Sequence, residues 1–126
     1  DSFGHEIGDH VLRQVADVIS RLCRSSDVIA RTGGEEFLII LPETDLDSAR
    51  ILAERIREAI GKRPMLVDSQ RIGVTVSLGV SSIVGDMNLD ELSLEADRAM
   101  YLAKRGGRNR VASVEHRPIH LTTAAG

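Results

Sequence analysis

Two acidic residues, Glu35 and Glu36, directly follow the glycine pair Gly33-Gly34 between two short apolar runs. The glycines would let a ligand approach the backbone closely, because they carry no Cβ atom. Two carboxylates at the tip of a rigid hairpin could hold a hard divalent cation such as Mg²⁺. The simpler interpretation is a solvated turn, since most glycine pairs between strands are only turns. These four residues alone do not decide between the two.

The composition limits the classes of partner. A formal net charge of −3 gives no general attraction to polyanions. The only aromatic residues are Phe3, Phe37 and Tyr101, which argues against a surface that stacks nucleic-acid bases. Cys23 is the only cysteine, so no internal disulfide can form and a reducing compartment such as the cytoplasm is favoured. The longest purely apolar run, residues 37–41, is too short to cross a bilayer, so we expect no membrane contact from this segment.

Hydrophobic periodicity predicts the elements that would position the glutamates. From His10 onward the apolar residues recur at helical spacing, with Asp9 where an N-cap would stand and the first residues entering as a loop. Two β-rich runs, residues 27–31 and 37–41, flank the glycine pair and predict a hairpin. The glycines and the glutamates would then lie at its tip.

The remaining pattern continues the alternation of helices and strands. Residues 44–47 resemble a capping box with Asp in place of Glu, and they precede a second helix that Gly61 closes. Residues 65–67 predict a short strand, and apolar residues alternate from 72 to 80, which predicts a strand with one buried face.

A third helix is predicted to open at Asp90 and to end at Gly106-Gly107. Residues 110–114 predict a last strand, and residues 115–126 have the pattern of a tail. We therefore expect one domain over residues 1–114, of the α+β class, with a mostly antiparallel central sheet flanked by helices.

Four segments, in order along the chain, resemble one known family. Residues 31–37 read Arg-Thr-Gly-Gly-Glu-Glu-Phe and resemble the signature of the GGDEF domain, the diguanylate cyclase family, in its variant with Glu at the third position. Residues 1–9 look like the family's N-D-x-x-G-H-x-x-G-D stretch without its leading Asn, and residues 76–80 are similar to its S-x-G-V strand. Residues 99–109 resemble its A-x-Y-x-A-K…G-R-N ending. The resemblance implies a nucleotide-cyclase or polymerase-palm-like fold.

The resemblance also implies roles for the residues around the hairpin. Glu35 would be a metal ligand and a catalytic residue, and Glu36 a second carboxylate near the metal and the triphosphate. Gly33 and Gly34 would let the guanine nucleotide lie against the hairpin backbone. Asp9 would accept hydrogen bonds from the guanine N1–H and N2 amine, two parallel donors that adenine does not offer.

The resemblance implies roles for two further sets of charged residues. Lys104 and Arg108 would hold the phosphates, although cations at a helix C-terminus are common without any ligand. Arg24 and Asp27 match the family's R-x-x-D inhibitory site, where the product cyclic di-GMP would bind, with Arg55 of a partner subunit as a further contact. Apart from the resemblance, a helix-end Arg and a turn Asp are the favoured interpretation of this second pair.

The implied activity is the condensation of two GTP into cyclic di-GMP and pyrophosphate, with Mg²⁺ or Mn²⁺ as cofactor. Each domain would hold one GTP, so a homodimer would be needed for catalysis, and an upstream sensor domain would control it. The alternative is a non-catalytic receptor of the same family that binds GTP or cyclic di-GMP. No part of this interpretation involves nucleic acid.

The chain departs from the family pattern at its start. A complete domain would begin with a helix and a strand that ends in an Asp-containing metal motif, followed by an aromatic-Lys loop and the guanine-contacting Asn; the sequence contains none of these. Because that first strand would lie in the middle of the sheet, its loss would leave backbone groups unpaired, at about 1–3 kcal/mol each if buried.

We therefore expect the 126-residue chain alone to have no cyclase activity. The measurement is cyclic di-GMP formation from GTP and Mg²⁺ by the isolated chain. Turnover by these residues alone would refute the expectation.

Overall fold

Helices alternate with short strands along the chain, in a computed structural model that describes residues 2–83 and 86–113, with side chains from Gly8 onward. The elements in chain order are α1 (Ser2–Leu22), β1 (Val28–Arg31), β2 (Phe37–Ile40), α2 (Leu46–Lys62), β3 (Met65–Val67), β4 (Gln70–Ile72), β5 (Leu78–Val80), α3 (Leu89–Arg105) and β6 (Val111–Ser113). The mixture of helices and short sheets agrees with the predicted α+β class. The predicted tail lies outside the described residues, and the boundary at residue 114 stays a prediction.

The first helix starts earlier than the sequence pattern predicts. α1 already includes Ser2, whereas the periodicity places its start at His10. Glycines at positions 4 and 8 weaken a helix by about 1 kcal/mol each but do not forbid it, which is why the expected loop is wrong. Asp9 consequently lies inside α1 and is not its N-cap.

The predicted hairpin is confirmed. β1 and β2 pair antiparallel, in a register that runs from Val28 opposite Ile40 to Arg31 opposite Phe37. The backbone N–H of Thr32 donates to the carbonyl of Glu36 at 3.0 Å and closes the turn beyond the last strand pair. The two glycines and Glu35 therefore form the tip, as the sequence indicates.

The second helix is capped by a different residue from the one expected. Asp45 is the N-cap of α2, and its side chain accepts from the backbone N–H of Ser48 at 2.8 Å. The capping box predicted over residues 44–47 is wrong because the Thr44 hydroxyl is engaged elsewhere. It donates to the carbonyl of Pro42 at 3.0 Å and accepts from Arg24 at 2.8 Å.

Helices α1 and α2 form the main core between them. Its fully buried members come from three elements: Val15, Ile19, Ile56, Ile60 and Met65. No helix in the described part of the chain combines the length and the apolar character that a membrane crossing needs.

The third helix ends where the sequence predicts, at Gly106-Gly107. It begins at Leu89, one residue before the predicted start at Asp90. Asn88 is the N-cap of α3 and forms a reciprocal capping box with Glu91, which satisfies two backbone donors of the first turn. At the other end, the N–H of Gly106 donates to the carbonyl of Leu102 at 2.9 Å. Two alanines of this helix, Ala99 and Ala103, are buried, and their small side chains allow close packing on this face.

The long strand predicted over residues 72–80 is divided. Its ends form β4, paired antiparallel with β3, and β5, paired parallel with β6, so that the described strands make three separate pairs. Between them Val74 and Val76 are half-buried while Gly73 and Thr75 are exposed, so the predicted alternation is present. A regular ladder needs a neighbouring strand, and no described strand pairs with residues 73–77.

Gly79 in β5 lies directly against α3. A Cβ atom at this position would overlap the carbonyl oxygen of Ala96 and the backbone nitrogen of Met100, and would lie 2.7 Å from the Cα of Met100. These are backbone atoms of a helix, so the contact cannot be relieved by a side-chain rotation. The glycine of the Ser-x-Gly-Val segment is thus required for packing.

We expect Gly79→Ala to lower the free energy of unfolding by about 3 kcal/mol, since helix and strand must separate to admit a methyl group. Urea denaturation monitored by circular dichroism measures the change. Gly73→Ala is the matched control, because a Cβ atom there meets nothing within 4 Å. Equal stability of the two variants would contradict this account of the packing.

Candidate functional site

The hairpin tip is held in shape by Arg31, the last residue of β1. Its Nη2 donates to the carbonyl of Gly34 at 2.6 Å, and its Nε donates to the carbonyl of Gly33 at 3.4 Å. One guanidinium thus satisfies both glycine carbonyls. The Glu35 and Glu36 side chains are left exposed on the outside of the turn.

The glycines at the tip are not required by the backbone conformation. Neither Gly33 nor Gly34 has a positive φ. A Cβ atom at Gly34 would meet nothing within 4 Å, and one at Gly33 would meet only the flexible side chain of Glu36, at 3.7 Å. The pair therefore leaves open space beside the backbone, which favours the ligand-binding interpretation over that of a glycine-dependent turn.

Asp9 lies beside this tip. Its Oδ1 is 3.8 Å from Nη2 of Arg31, the same nitrogen that donates to Gly34. The predicted base-reading carboxylate and the predicted metal-binding turn therefore share one side of the molecule. Sequence reasoning did not assign a role to Arg31, although the residue stands within the recognised segment and next to the glycines.

The tip has the donor chemistry of a magnesium site but not a complete set of ligands. Among residues 8–83 and 86–113, no group of three or more His, Cys, Asp or Glu could hold a metal by itself. Mg²⁺ is usually bound through one or two carboxylates, together with waters and the phosphates of a substrate. Glu35 and Glu36 fit such a site, which the nucleotide would complete.

The predicted phosphate-binding residues lie at the end of α3 and in the loop that follows it. Arg108 and Asn109 have φ of 62° and 44°, and Gly107 has 123°. The left-handed conformation costs a non-glycine residue about 1–2 kcal/mol, so two such residues in sequence need external support. Two hydrogen bonds give part of it: the N–H of Arg108 donates to the carbonyl of Ala103 at 3.0 Å, and Nε of Arg110 donates to the carbonyl of Arg108 at 3.2 Å.

The cationic groups of this loop are available to a ligand. Within the described part of the chain, no hydrogen bond or ion pair engages the Lys104 ammonium or the Arg108 guanidinium. No described hydrogen bond or ion pair joins either of these two groups to the hairpin tip. The structure thus brings Asp9, Gly33 and Gly34 together through Arg31, and it leaves Lys104 at the end of α3 and Arg108 on the loop that follows.

The predicted product site is a formed pocket. Arg24 donates from its backbone N–H to Asp27 Oδ2 at 2.7 Å and from Nη2 to Asp27 Oδ1 at 3.2 Å. The same Nη2 lies 2.9 Å from the carbonyl of Pro42 and 2.8 Å from the Thr44 hydroxyl. A cavity of about 280 Å³ opens beside these groups, lined by Leu22, Arg24, Asp27, Leu41, Glu43, Thr44, Asp45, Ser48 and Leu52. Arg55 is exposed on α2 and does not line it.

The Asp27 carboxylate is held ionised in this pocket. Its side chain is only 2% exposed, and this burial, the largest single effect, acts to raise its pKa. The hydrogen bonds from the Arg24 backbone and side chain, with the Arg24 charge, together outweigh burial and lower the pKa of Asp27 below its usual value. Because the folded-state pKa is lowered, this contribution to stability is present above about pH 4 and is lost as the pH falls through the lowered pKa.

The chain resembles known proteins along most of its length. The family model described as "Diguanylate cyclase, GGDEF domain" matches residues 1–110. The chain is 43% identical over 112 residues to Diguanylate cyclase A of Treponema denticola, covering 88% of this chain and 30% of that protein.

Solved structures show the same fold. The GGDEF domain of DgcB from Caulobacter crescentus, solved in complex with c-di-GMP, has a TM-score of 0.82 at 36% identity, covering 90% of this chain and 68% of that one. The active GGEEF domain of a diguanylate cyclase from Vibrio cholerae has a TM-score of 0.78 at 33% identity, with coverages of 93% and 74%. The predicted α+β, cyclase-like fold is therefore confirmed.

Proposed function

The chain belongs to the diguanylate cyclase GGDEF domain family, and from this premise we propose that its parent protein condenses two GTP into cyclic di-GMP and pyrophosphate. The observation that carries the proposal is the bridge formed by Arg31. It links Asp9 to the carbonyls of a glycine turn that bears two exposed carboxylates. This contact supports the proposal that Asp9 reads the base of the nucleotide whose metal ion Glu35 and Glu36 hold.

Each residue of the site has a role in holding that nucleotide. Asp9 accepts the guanine N1–H and N2 amine, which selects GTP over ATP. The open space beside Gly33 and Gly34 admits the nucleotide to the hairpin backbone. Lys104 and Arg108, whose charges are not neutralised by a described partner, bind the triphosphate.

The reaction joins the 3′-oxygen of one GTP to the α-phosphorus of another and breaks the bond to pyrophosphate. Glu35 and Glu36 would hold Mg²⁺ or Mn²⁺ at the tip, and the ion, when bound, supplies charge neutralisation at the phosphates and lowers the pKa of the attacking hydroxyl. Two such bonds form per product, so two domains face each other with two-fold symmetry.

The control of the activity and its location are part of the proposal. The chain spans about 30% of the length of Diguanylate cyclase A. We place a sensor domain upstream, where it would control dimer formation, and we place the reaction in the cytoplasm.

The test of the function is Glu35→Ala in the parent protein, with cyclic di-GMP formation as the readout. A cyclase should lose about 100-fold or more in turnover, the scale set by removal of one group that stabilises developing charge. Asp97→Ala, which removes an exposed carboxylate from the surface of α3, is the control and should leave turnover unchanged. A parent that makes no cyclic di-GMP but keeps its signalling output after Glu35→Ala would be the non-catalytic receptor instead.

The Arg24 pocket is the proposed site of product feedback. The exposed Arg24 guanidinium offers a phosphate-binding fork at this cavity, and the Asp27 carboxylate beneath it, 2% exposed, holds that guanidinium in place. The volume of about 280 Å³ admits part of a cyclic dinucleotide, and the open mouth leaves the rest to a partner subunit, where Arg55 is proposed to contribute.

For the parent protein, Arg24→Ala should raise the cyclic di-GMP concentration that gives half inhibition by about 10-fold or more, since it removes a charged hydrogen-bond donor. Inhibition curves of GTP turnover measure this. Arg21→Ala is the matched control, because Arg21 lies one turn away on α1 and pairs with Asp17 instead. Equal inhibition of the wild type and Arg24→Ala would remove this pocket from the proposal.

A further inference from the structure

One side chain of α2 reaches across to the loop that carries Arg108. Nη1 of Arg57 donates to Oδ1 of Asn109 at 3.1 Å, a contact between residues 52 positions apart. The Arg57 side chain is only 25% exposed, and on its own helix it is held by a hydrogen bond from Nε to Glu54 and by Glu58 at 3.9 Å. Its guanidinium is therefore fixed in direction before it meets the loop.

The contact falls on the part of the loop that most needs support. Asn109 and the preceding Arg108 both have left-handed backbones. The Asn109 amide also rests on α2 one turn beyond Arg57, with its Oδ1 4.0 Å from the position of a Cβ atom on Gly61. Among the described contacts, the bond from Arg57 is the only side-chain hydrogen bond that ties this left-handed pair to another helix.

We infer that Arg57 is a positioning residue for the triphosphate: through Asn109 it fixes the left-handed turn that presents Arg108 to the phosphates. This inference rests on the proposed function. We assign Arg57 a positioning role and not a phosphate contact, because Glu54 and Glu58 neutralise its charge and its Nη1 donates to Asn109.

The experiment measures binding of 3′-deoxy-GTP with Mg²⁺ to the parent protein by isothermal titration. This nucleotide lacks the attacking hydroxyl, so binding is observed without turnover. Arg57→Ala and Asn109→Gly should each weaken binding by about 3- to 10-fold, the effect of losing one hydrogen bond. Glycine at 109 removes the amide while still permitting the left-handed backbone.

A double-mutant cycle separates positioning from a general loss of stability. If the two residues act through one contact, the Arg57→Ala/Asn109→Gly variant binds no more weakly than either single variant. Arg57→Lys should recover part of the affinity, since lysine keeps a donor group. In turnover assays of Arg57→Ala, KM for GTP should rise while kcat stays within about twofold of the wild type. Arg50→Ala, which removes an exposed arginine of the same helix, is the control.

Wild-type affinity in Arg57→Ala, or effects of the two substitutions that add independently, would overturn the inference and leave the proposed function intact. Should Arg57→Ala fail to fold, the Asn109→Gly variant decides alone, because wild-type affinity in it overturns the inference. A parent without GTP turnover overturns the proposed function instead. In that case a titration with inorganic tripolyphosphate still decides whether the two residues jointly set anion binding by this loop.

Discussion

The geometry of the substrate site depends on a single guanidinium. Arg31 donates to two consecutive carbonyls at the hairpin tip and stands 3.8 Å from Asp9 on α1. Without it, both carbonyls would turn to solvent and the tip would lose its link to the first helix. The strands fix where the hairpin lies, and Arg31 holds the conformation of its tip beside α1. The placement of the glutamates follows from that conformation.

The proposed site is assembled from two regions of the chain. Asp9 and the hairpin belong to α1 and the first strand pair, whereas Lys104 and Arg108 belong to α3 and its terminal loop. Backbone contact at Gly79 fixes α3 against β5, and the Arg57–Asn109 bond fixes the loop against α2. Since α2 also packs on α1 through Ile56 and Ile60, it is the element that relates the two regions.

The sequence could predict the features that depend on residues close together in the chain. The hairpin and the C-terminus of α3 follow from glycines and from periodicity, whereas the roles expected of the charged residues follow from the resemblance to the family. Apart from the early start of α1, where a helix tolerates two glycines, the failures share one cause, which is that long-range partners override local signals. Thr44 does not cap α2 because Arg24, 20 positions earlier, occupies its hydroxyl. The alternating segment from 72 to 80 is not one strand because pairing depends on a neighbour that its own residues cannot supply. Arg31 and Arg57 were missed for the same reason, since their roles depend on Asp9 and Asn109.

The exposure of the Asp9–Arg31 pair has a consequence for binding. Its two side chains are 60% and 45% exposed, and an exposed ion pair of this kind contributes about 0–1 kcal/mol. Asp9 can therefore exchange the distant guanidinium for the two donors of a guanine edge at little cost, while Arg31 keeps its bonds to the glycine carbonyls. The buried Asp27 carboxylate is in the opposite situation, since it is 2% exposed and bonded twice to Arg24. Removing Arg24 would leave the Asp27 charge buried and unpaired. A ligand in that pocket therefore has to add contacts to the Arg24–Asp27 pair without breaking it.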